Sequence, residues 1–199
     1  MTEISFKKIN TQLLNENTNL NQFNCKINDL AEFLKEDALK QNSYMMNTTY
    51  VVSYKNKVIA FYTVSVDTIP RKNLPKKYKK MFKDKNIFYN SYPALKLGRL
   101  GVDRNYDNKG LGSFLLKKVI TLGIKLSKEV GLRFVSIDAY IGAYKFYEKN
   151  YCEHIFNEDK IKNKLKEYET LKSKNNKRAD NMTLPMFYDL DRFDKLKSK

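Results

Sequence analysis

Apolar residues recur at helical spacing in five stretches of the chain. The longest, 110–127, repeats Leu or Val every three or four residues, keeps its lysines off that stripe and is followed by Gly131, a residue type that commonly ends helices. A second stripe runs over 30–39, where Asn28 and Asp29 are available as caps. The pattern therefore predicts two amphipathic helices in these positions.

Three further helices are predicted in more polar surroundings. The spacing of apolar residues favours short helices over 76–82 and 143–149. The segment 157–180 is rich in Lys, Asn and Glu, yet it contains four apolar residues at helical spacing, namely Ile161, Leu165, Tyr168 and Leu171. We expect a charged surface excursion at about 157–180 that contains a helix and a loose loop near 173–180.

Runs of β-branched and aromatic residues predict the strands. The runs 49–54 and 58–66 flank the tight turn Lys55-Asn-Lys, which predicts an antiparallel hairpin. Two more runs, 94–102 and 134–138, lie on either side of the long helix, and 182–190 returns to strand character. Because strand, glycine turn, helix and strand follow one another, we expect a mixed α/β fold with a parallel crossover.

Length and composition restrict the classes of protein. No repeat or linker divides the 199 residues, so one domain over 1–199 is expected. Two cysteines, Cys25 and Cys152, and one histidine supply neither a disulfide framework nor a Cys/His metal cluster, which excludes zinc enzymes. The amino terminus lacks a basic-then-apolar leader and no stretch approaches 18 apolar residues, so a cytoplasmic protein outside the membrane is expected.

A glycine-containing turn connects the strand 94–102 to the long helix. The first N–H groups of a helix have no intrahelical partner and the helix dipole is positive there, so anions bind at such places. Gly110 and Gly112 carry no Cβ and let a diphosphate approach the backbone. Close helix–strand packing is the alternative reason for the two glycines, but the strand before them and the amphipathic helix after them favour an anion site.

The run Arg99–Ser113 resembles the acetyl-CoA-binding segment of the GCN5-related N-acetyltransferase (GNAT) family, which carries Gln/Arg-x-x-Gly-x-Gly/Ala. Gly110 and Gly112 fall on its two small-residue positions. Asp107 stands in the first position instead of Gln or Arg, and Asn108 stands where Gly is often found. The resemblance implies a GNAT-type α+β fold, with a mostly antiparallel central sheet, a parallel strand pair splayed at the cofactor site and flanking helices.

Further segments are similar to one branch of that family, the toxin-like acetyltransferases of toxin–antitoxin pairs (the TacT-like proteins). The similarity spans about 20–152 and resumes at 182–190, whereas 157–180 is not part of the usual pattern. The segments that carry it are Phe23–Ala38, Ala60–Ser65, Ile69–Pro75, Tyr92–Leu100 and Ala143–Lys149. The resemblance implies acetyl transfer from acetyl-CoA to the amino group of aminoacyl-tRNA. It also implies an antitoxin protein as a partner, and it is compatible with a homodimer.

The same resemblance implies roles for individual residues. Backbone groups of the strand bind the pantetheine and the thioester, and the turn binds the diphosphate. The strand residues are Leu100, Gly101 and Val102, and the turn residues are Asn108, Lys109, Gly110, Leu111, Gly112 and Ser113. Tyr147 matches the tyrosine that protonates the departing thiolate, and a phenol with an ordinary pKa of about 10 is a neutral donor at pH 7. No metal is implied.

Other assignments stay open. Tyr147 could be a core aromatic of the helix 143–149, in which case Tyr144 is the alternative proton donor. His154 is a candidate general base, and Cys152 is a candidate acyl-carrying nucleophile that lacks an assigned activating group.

The distribution of positive charge indicates the class of acceptor. The chain has 38 Lys and Arg against 22 Asp and Glu, a formal net charge of +16, which attracts polyanions. Seven cations form a basic patch just before the cofactor strand: Arg71, Lys72, Lys76, Lys77, Lys79, Lys80 and Lys83. Four aromatic residues are interleaved with them or close by: Tyr78, Phe82, Phe88 and Tyr89. Mixed Lys/aromatic surfaces suit RNA phosphates and unstacked bases, which predicts a tRNA acceptor stem as ligand; a merely solvated basic face is the alternative.

Two other functions remain possible from the sequence. The same cofactor site would serve an N-acetyltransferase of a small-molecule or protein amine, although a protein of +16 repels polyamines. Asp107 and Asn108 instead favour a nucleic-acid-binding or antitoxin-binding module whose catalytic site is degenerate. The sequence does not give the preferred amino acid or tRNA, nor the oligomeric state.

Overall fold

The computed structural model describes residues 5–192. The strands are β1 (Asn10–Leu13), β2 (Thr48–Tyr54), β3 (Lys57–Pro70), β4 (Ser91–Val102), β5 (Phe134–Tyr140), β6 (Glu153–His154) and β7 (Thr183–Asp189). The α-helices are α1 (Asn28–Glu32), α2 (Ala38–Ser43), α3 (Lys76–Asp84), α4 (Leu111–Val130), α5 (Tyr144–Lys149) and α6 (Glu158–Ser173). A π-helical turn, Phe33–Asp37, joins α1 to α2. Short 3-10 turns lie at Phe6–Lys8, Arg71–Asn73, Arg104–Tyr106, Ile141–Ala143 and Lys177–Asn181. Every helix and strand predicted above is present, whereas β1 and β6 are additional.

The strands form a mixed seven-stranded sheet in the order β1-β2-β3-β4-β5-β7-β6, with one parallel pair. Antiparallel pairing joins β1 to β2, β2 to β3, β5 to β7 and β6 to β7. β4 and β5, which α4 connects, are neighbours in this order. The expected mixed α/β fold with a mostly antiparallel sheet is confirmed.

Two local details follow from backbone conformation. The hairpin between β2 and β3 turns at Lys55 and Asn56, whose φ angles of 50° and 60° are the left-handed pair that a tight two-residue hairpin turn requires. At the start of α1 the expected caps are wrong. The N-cap is Ile27, which has no side-chain acceptor, and Asn28 and Asp29 lie in the first helical turn.

The chain divides into two compact units, each built from two segments. The first unit comprises the chain up to Val66 together with Leu97–Leu122, and the second comprises Asp67–Lys96 together with the chain from Gly123 onward. β3, β4 and α4 each contribute residues to both units. The single domain expected over 1–199 stays a prediction.

Phe61 of β3 is the centre of the core in the first unit. Its ring is fully buried and lies 5.7 Å from the ring of Phe23 and 6.2 Å from that of Phe33. A Cβ at Gly101 of β4 would lie 2.4 Å from Cε1 of Phe61, a distance that real contacts do not show. The glycine is therefore required where β4 passes the aromatic core.

The second unit has two apolar clusters. In one, aromatic residues of α3, β4, β5 and β7 pack together, with the rings of Phe82 and Tyr92 stacked at 4.1 Å and those of Phe134 and Phe187 edge to face at 5.3 Å. The other consists of Ile141, Met182 and Leu184 and is covered by the apolar stripe of α6, which is formed by Ile161, Leu165, Tyr168 and Leu171. The predicted surface helix is thus confirmed, and it covers part of the core.

The segment after α6 is more ordered than the loose loop expected near 173–180. The side chain of Asn176 accepts a hydrogen bond of 3.0 Å from the N–H of Arg178 and so caps the 3-10 turn Lys177–Asn181. That turn leads directly into β7. Within residues 5–192, no helix combines the length and the apolar composition needed to cross a membrane.

Candidate active site

Asp103 anchors the turn that follows β4. Its side chain is almost fully buried, and its two carboxylate oxygens accept hydrogen bonds of 2.9 Å from the backbone N–H groups of Asn24 and Asn105. The N–H of Arg104 donates to the carbonyl of Asn24 at 2.8 Å. One buried carboxylate thereby ties the turn to a segment 79 residues earlier. This residue is not among the site residues predicted above.

The acidic residue in the first motif position does not present a free charge. The carboxylate of Asp107 forms an ion pair with Lys26, and its Oδ1 accepts a hydrogen bond of 3.0 Å from the N–H of Asn108. Asn108 has φ of 57°, a left-handed conformation that Gly adopts freely and Asn tolerates better than most residues. Both departures from the family motif are therefore compatible with the turn.

The amino-terminal end of α4 has the geometry of an anion site. The first helical hydrogen bond there runs from the N–H of Phe114 to the carbonyl of Gly110, at 3.1 Å. Within residues 5–192, no group accepts from the N–H groups of Leu111, Gly112 and Ser113. Gly110 has φ of 77°, so a side chain there would be strained, although the nearest atom to a Cβ is 3.7 Å away.

Cations surround the same turn. The Nζ of Lys109 donates to the carbonyl of Asn105 at 2.9 Å and lies 5.3 Å from the ring centre of Tyr106, which holds the ammonium group beside the turn. Arg104 is exposed, and one of its guanidinium nitrogens lies 3.4 Å from the carbonyl of Cys25. Lys26 balances Asp107. Arg104 and Lys109 outnumber the remaining carboxylate of the turn, that of Asp103, so the turn has a positive environment. The residues present therefore fit a diphosphate.

The strand residues expected to bind pantetheine are at the end of β4. Gly101 is buried, and the side chains of Leu100 and Val102 are partly exposed. Their roles, and those of Asn108 to Ser113, remain predictions about a bound coenzyme.

Tyr147 lies in α5 of the second unit and is 8% exposed. Burial, with smaller contributions from Cys152 and Tyr140, raises the pKa of its phenol above the ordinary value. Its ring packs at 4.9 Å on that of Phe146, and no residue from 5 to 192 accepts a hydrogen bond from its hydroxyl. A protonated phenol without a protein acceptor suits a proton donor.

Cys152, His154 and Tyr144, the alternative catalytic residues, are less suited than Tyr147 to take part in acyl or proton transfer. Burial raises the pKa of the Cys152 thiol to about 12, so this residue is not a thiolate at neutral pH. In His154, Nε2 lies 2.7 Å from a carboxylate oxygen of Glu148, and the buried Nδ1 has no partner in the described chain. Tyr144 packs against the Ile141 cluster. These contacts favour Tyr147 over the other three.

The basic patch lies on the turn Arg71–Asn73 and on α3. Lys77 forms an ion pair of 2.5 Å with Glu153, and the Nζ of Lys79 donates to the carbonyl of Lys72 at 2.7 Å. The side chains of Lys76, Lys80 and Lys83 are exposed and have no protein partner within residues 5–192. Three members of the patch therefore present unpaired charge to solvent.

Two of the aromatic residues assigned to an RNA-facing surface are wrongly assigned. Tyr78 and Phe82 are each 5% exposed and belong to the aromatic core of the second unit. Their i, i+4 spacing, in register with the buried Leu74, was the signal for a core-facing stripe. Phe88 and Tyr89 are 57% and 61% exposed and remain available to contact a base.

Metal binding has no support in residues 5–192, where no group of three or more His, Cys, Asp or Glu side chains could hold an ion.

Two residues that shape the site are absent from the sequence-based prediction: Asp103, which lies in the turn, and Lys26, which pairs with Asp107 of the turn. Their roles depend on contacts with distant segments, and only Asp103, which begins a turn-forming run, is marked locally.

Comparisons with known proteins agree with this architecture. A model of the acetyltransferase (GNAT) family matches residues 14–151. A tRNA-acetylating toxin of Mycobacterium tuberculosis (strain ATCC 25618 / H37Rv) is 26% identical over 110 residues, which are 55% of this chain and 63% of the relative. The match therefore spans less than two thirds of that relative.

Two solved structures share the fold. AtaT in complex with acetyl-methionyl-tRNAfMet superposes with a TM-score of 0.75 at 21% identity, covering 94% of this chain and 98% of AtaT. A tyrosine-to-phenylalanine mutant of the AtaT toxin, bound to the C-terminus of the antitoxin AtaR and to acetyl-CoA, superposes with a TM-score of 0.67 at 17% identity, covering 96% and 99%.

Proposed function

The chain belongs to the GNAT family of acetyltransferases, and from this premise we propose that it transfers the acetyl group of acetyl-CoA to the α-amino group of aminoacyl-tRNA. Modification of that amine would block its use in translation, so the activity would be toxin-like. The acceptor is cytoplasmic, and we place the reaction there.

The observation that carries the proposal is the set of unpaired N–H groups at Leu111, Gly112 and Ser113. They lie at the amino-terminal end of a 20-residue helix, where the helix dipole favours an anion. Lys26 neutralises Asp107, which removes the main argument for a degenerate site. The diphosphate of acetyl-CoA is the anion that the family uses at this position.

The acceptor is inferred from charge and from the acidity of amines. The exposed lysines of α3 offer unpaired cations to an RNA backbone. An α-amino group titrates near pH 8, whereas a lysine side chain titrates near 10.4, so an α-amine needs no strong base to become a nucleophile. The positive surface favours an acceptor attached to RNA. His154, whose Nε2 already contacts Glu148, is not placed as a free base, which favours an amine that needs no strong base.

Acetyl-CoA supplies the activated acyl group, and the protein residues bind and move one proton. The backbone of Leu100 to Val102 would hold the pantetheine arm beside β4. As the C–N bond forms and the C–S bond breaks, the Tyr147 hydroxyl would give its proton to the leaving sulfur. The proton that the amine loses would pass to solvent, and solvent would reprotonate the Tyr147 phenolate, so that the protons balance over one turnover. Most of the rate would come from holding two reactants together.

Partners follow from the same proposal. A protein that blocks translation requires control, and one solved relative is bound to an antitoxin segment. We infer that an antitoxin binds this chain as well. The homodimer named above stays a prediction.

Two measurements test the proposal. Calorimetry with acetyl-CoA should give micromolar binding, and radiolabelled acetyl transfer should occur on charged total tRNA but not on the same tRNA after deacylation. Binding of acetyl-CoA without transfer to charged tRNA would move the function to another amine, and an absence of binding would support the degenerate nucleic-acid-binding or antitoxin-binding module.

A further inference from the structure

The guanidinium of Arg99 in β4 lies over an aromatic ring. Its guanidinium carbon lies 3.8 Å from the ring centre of Phe33, at contact distance for a cation over a π face. Phe33 is buried and begins the π-helical turn Phe33–Asp37, an irregularity that is frequent at functional sites. The ring contact holds the guanidinium in place, and the N–H groups form the edge of that planar group.

That edge has no partner. No carboxylate or carbonyl oxygen of residues 5–192 accepts a hydrogen bond from the Arg99 side chain. Arg133 and Arg192, by contrast, are paired with Asp189 and Glu153 at 2.9 and 2.7 Å. A partly buried cation that lacks a counter-ion is costly, and such residues usually serve a ligand.

The position of Arg99 along β4 indicates which ligand. Side chains two residues apart lie on one face of a strand, so Arg99 is on the same face as Gly101 and about 7 Å from it. It lies about 10 Å upstream of Val102, the end of β4, beyond which the N–H groups of α4 begin. In the proposed reaction the diphosphate binds beyond Val102, so the thioester end of the coenzyme lies toward Arg99.

An acetyl thioester has no charge, so an unpaired cation near it has no counter-ion in the coenzyme. We propose that Arg99 binds an oxyanion of the acceptor, namely the phosphodiester nearest the 3′-terminal nucleotide of aminoacyl-tRNA, and thereby selects amines that are attached to a nucleotide. The inference rests on the proposed function. A guanidinium presents two parallel N–H donors to phosphate, which lysine cannot do.

The test compares two small acceptors that differ in one phosphodiester. The amino acid that the wild type acetylates best on charged tRNA is esterified either to adenosine or to the dinucleotide CpA. The wild type should prefer the CpA ester by about ten-fold or more in kcat/KM, mainly through KM, since a charge-assisted hydrogen bond is worth at least that factor.

Arg99→Met should reduce this preference to within about two-fold while leaving the Kd of acetyl-CoA nearly unchanged. Arg99→Lys should recover part of it, because the charge remains without the paired donors. Lys40→Met, which removes an exposed cation of α2, is the matched control and should keep the wild-type preference.

Several results would overturn the inference while the wild type is active. These are a wild-type preference near one, a preference that survives Arg99→Met, and a weaker Kd of acetyl-CoA, which would assign the guanidinium to the phosphates of the coenzyme. Equal loss on both esters would also overturn it, because it indicates a role in folding or chemistry. A wild type inactive on both esters and on charged tRNA would instead contradict the proposed function itself.

Discussion

Lys26 forms an ion pair with Asp107, the residue that stands where the family motif has Gln or Arg. The side chains are 67% and 34% exposed, so the pair itself adds little stability. Its effect is local, since it neutralises Asp107, the more exposed of the two carboxylates in the turn of the expected diphosphate site.

Lys26→Met should therefore weaken acetyl-CoA binding by about three- to ten-fold, because it restores a negative charge near the phosphates. Calorimetry with acetyl-CoA measures the change. Asp107→Asn should reverse it in the double variant, and equal Kd values for Lys26→Met and the wild type would show that Asp107 does not face the coenzyme.

Gly101→Ala should destabilise the protein by about 1–3 kcal/mol, since the new Cβ would collide with the Phe61 ring in a filled core. Denaturant unfolding measures the loss. Gly98→Ala on the same strand is the matched control, because its Cβ would lie 3.7 Å from the nearest atom and should be tolerated. If both variants unfold at the same denaturant concentration, Gly101 is not required for packing.

Tyr147→Phe should reduce turnover by about ten-fold or more and leave both the fold and the Kd of acetyl-CoA unchanged. Steady-state kinetics on charged tRNA measures it, with the exposed Tyr151→Phe as control. Unchanged turnover would assign the proton transfer to another group.

The pH profile gives a second test of Tyr147. Burial raises the pKa of its phenol, so the protonated form persists above the pH at which a free tyrosine ionises. The activity should therefore show no loss from this group between pH 8 and about 10, the ordinary tyrosine pKa. A basic limb in that range that disappears in Tyr147→Phe would contradict the raised pKa.

Charge reversal at Lys80 and Lys83 should raise the KM for charged tRNA about ten-fold or more and make it less dependent on salt, because fewer phosphates are neutralised. Reversal at Lys125 and Lys128, two exposed lysines of α4, changes the net charge equally and should have a smaller effect. Similar losses in the two pairs would mean that total charge, and not the patch, attracts the acceptor.

The sequence predicts the turn well because its determinants are local. The amphipathic pattern after Gly110 predicts α4, and Gly131, with φ of 68°, follows its last residue. The strand before the turn and the helix after it are enough to predict an anion site without reference to distant residues.

What the sequence does not predict depends on contacts between distant segments. The pairing of Lys26 with Asp107 and the bond from Asn24 to Asp103 join residues about 80 positions apart. β1 is a four-residue edge strand of mostly exposed polar residues, so it gives no alternating apolar signal. The two aromatic residues of α3 were assigned by composition, although their spacing already indicated burial.

α3 has one face in the aromatic core and the other covered with lysines. The aromatic contacts fix the helix in the fold, so the spacing of its cationic groups exists before any ligand arrives. A polyanion that docks there would not have to order the backbone, and its association should show a small heat-capacity change and little dependence on helix-promoting cosolvents. Regulation that acts by unfolding this surface would have to disrupt the core of the second unit.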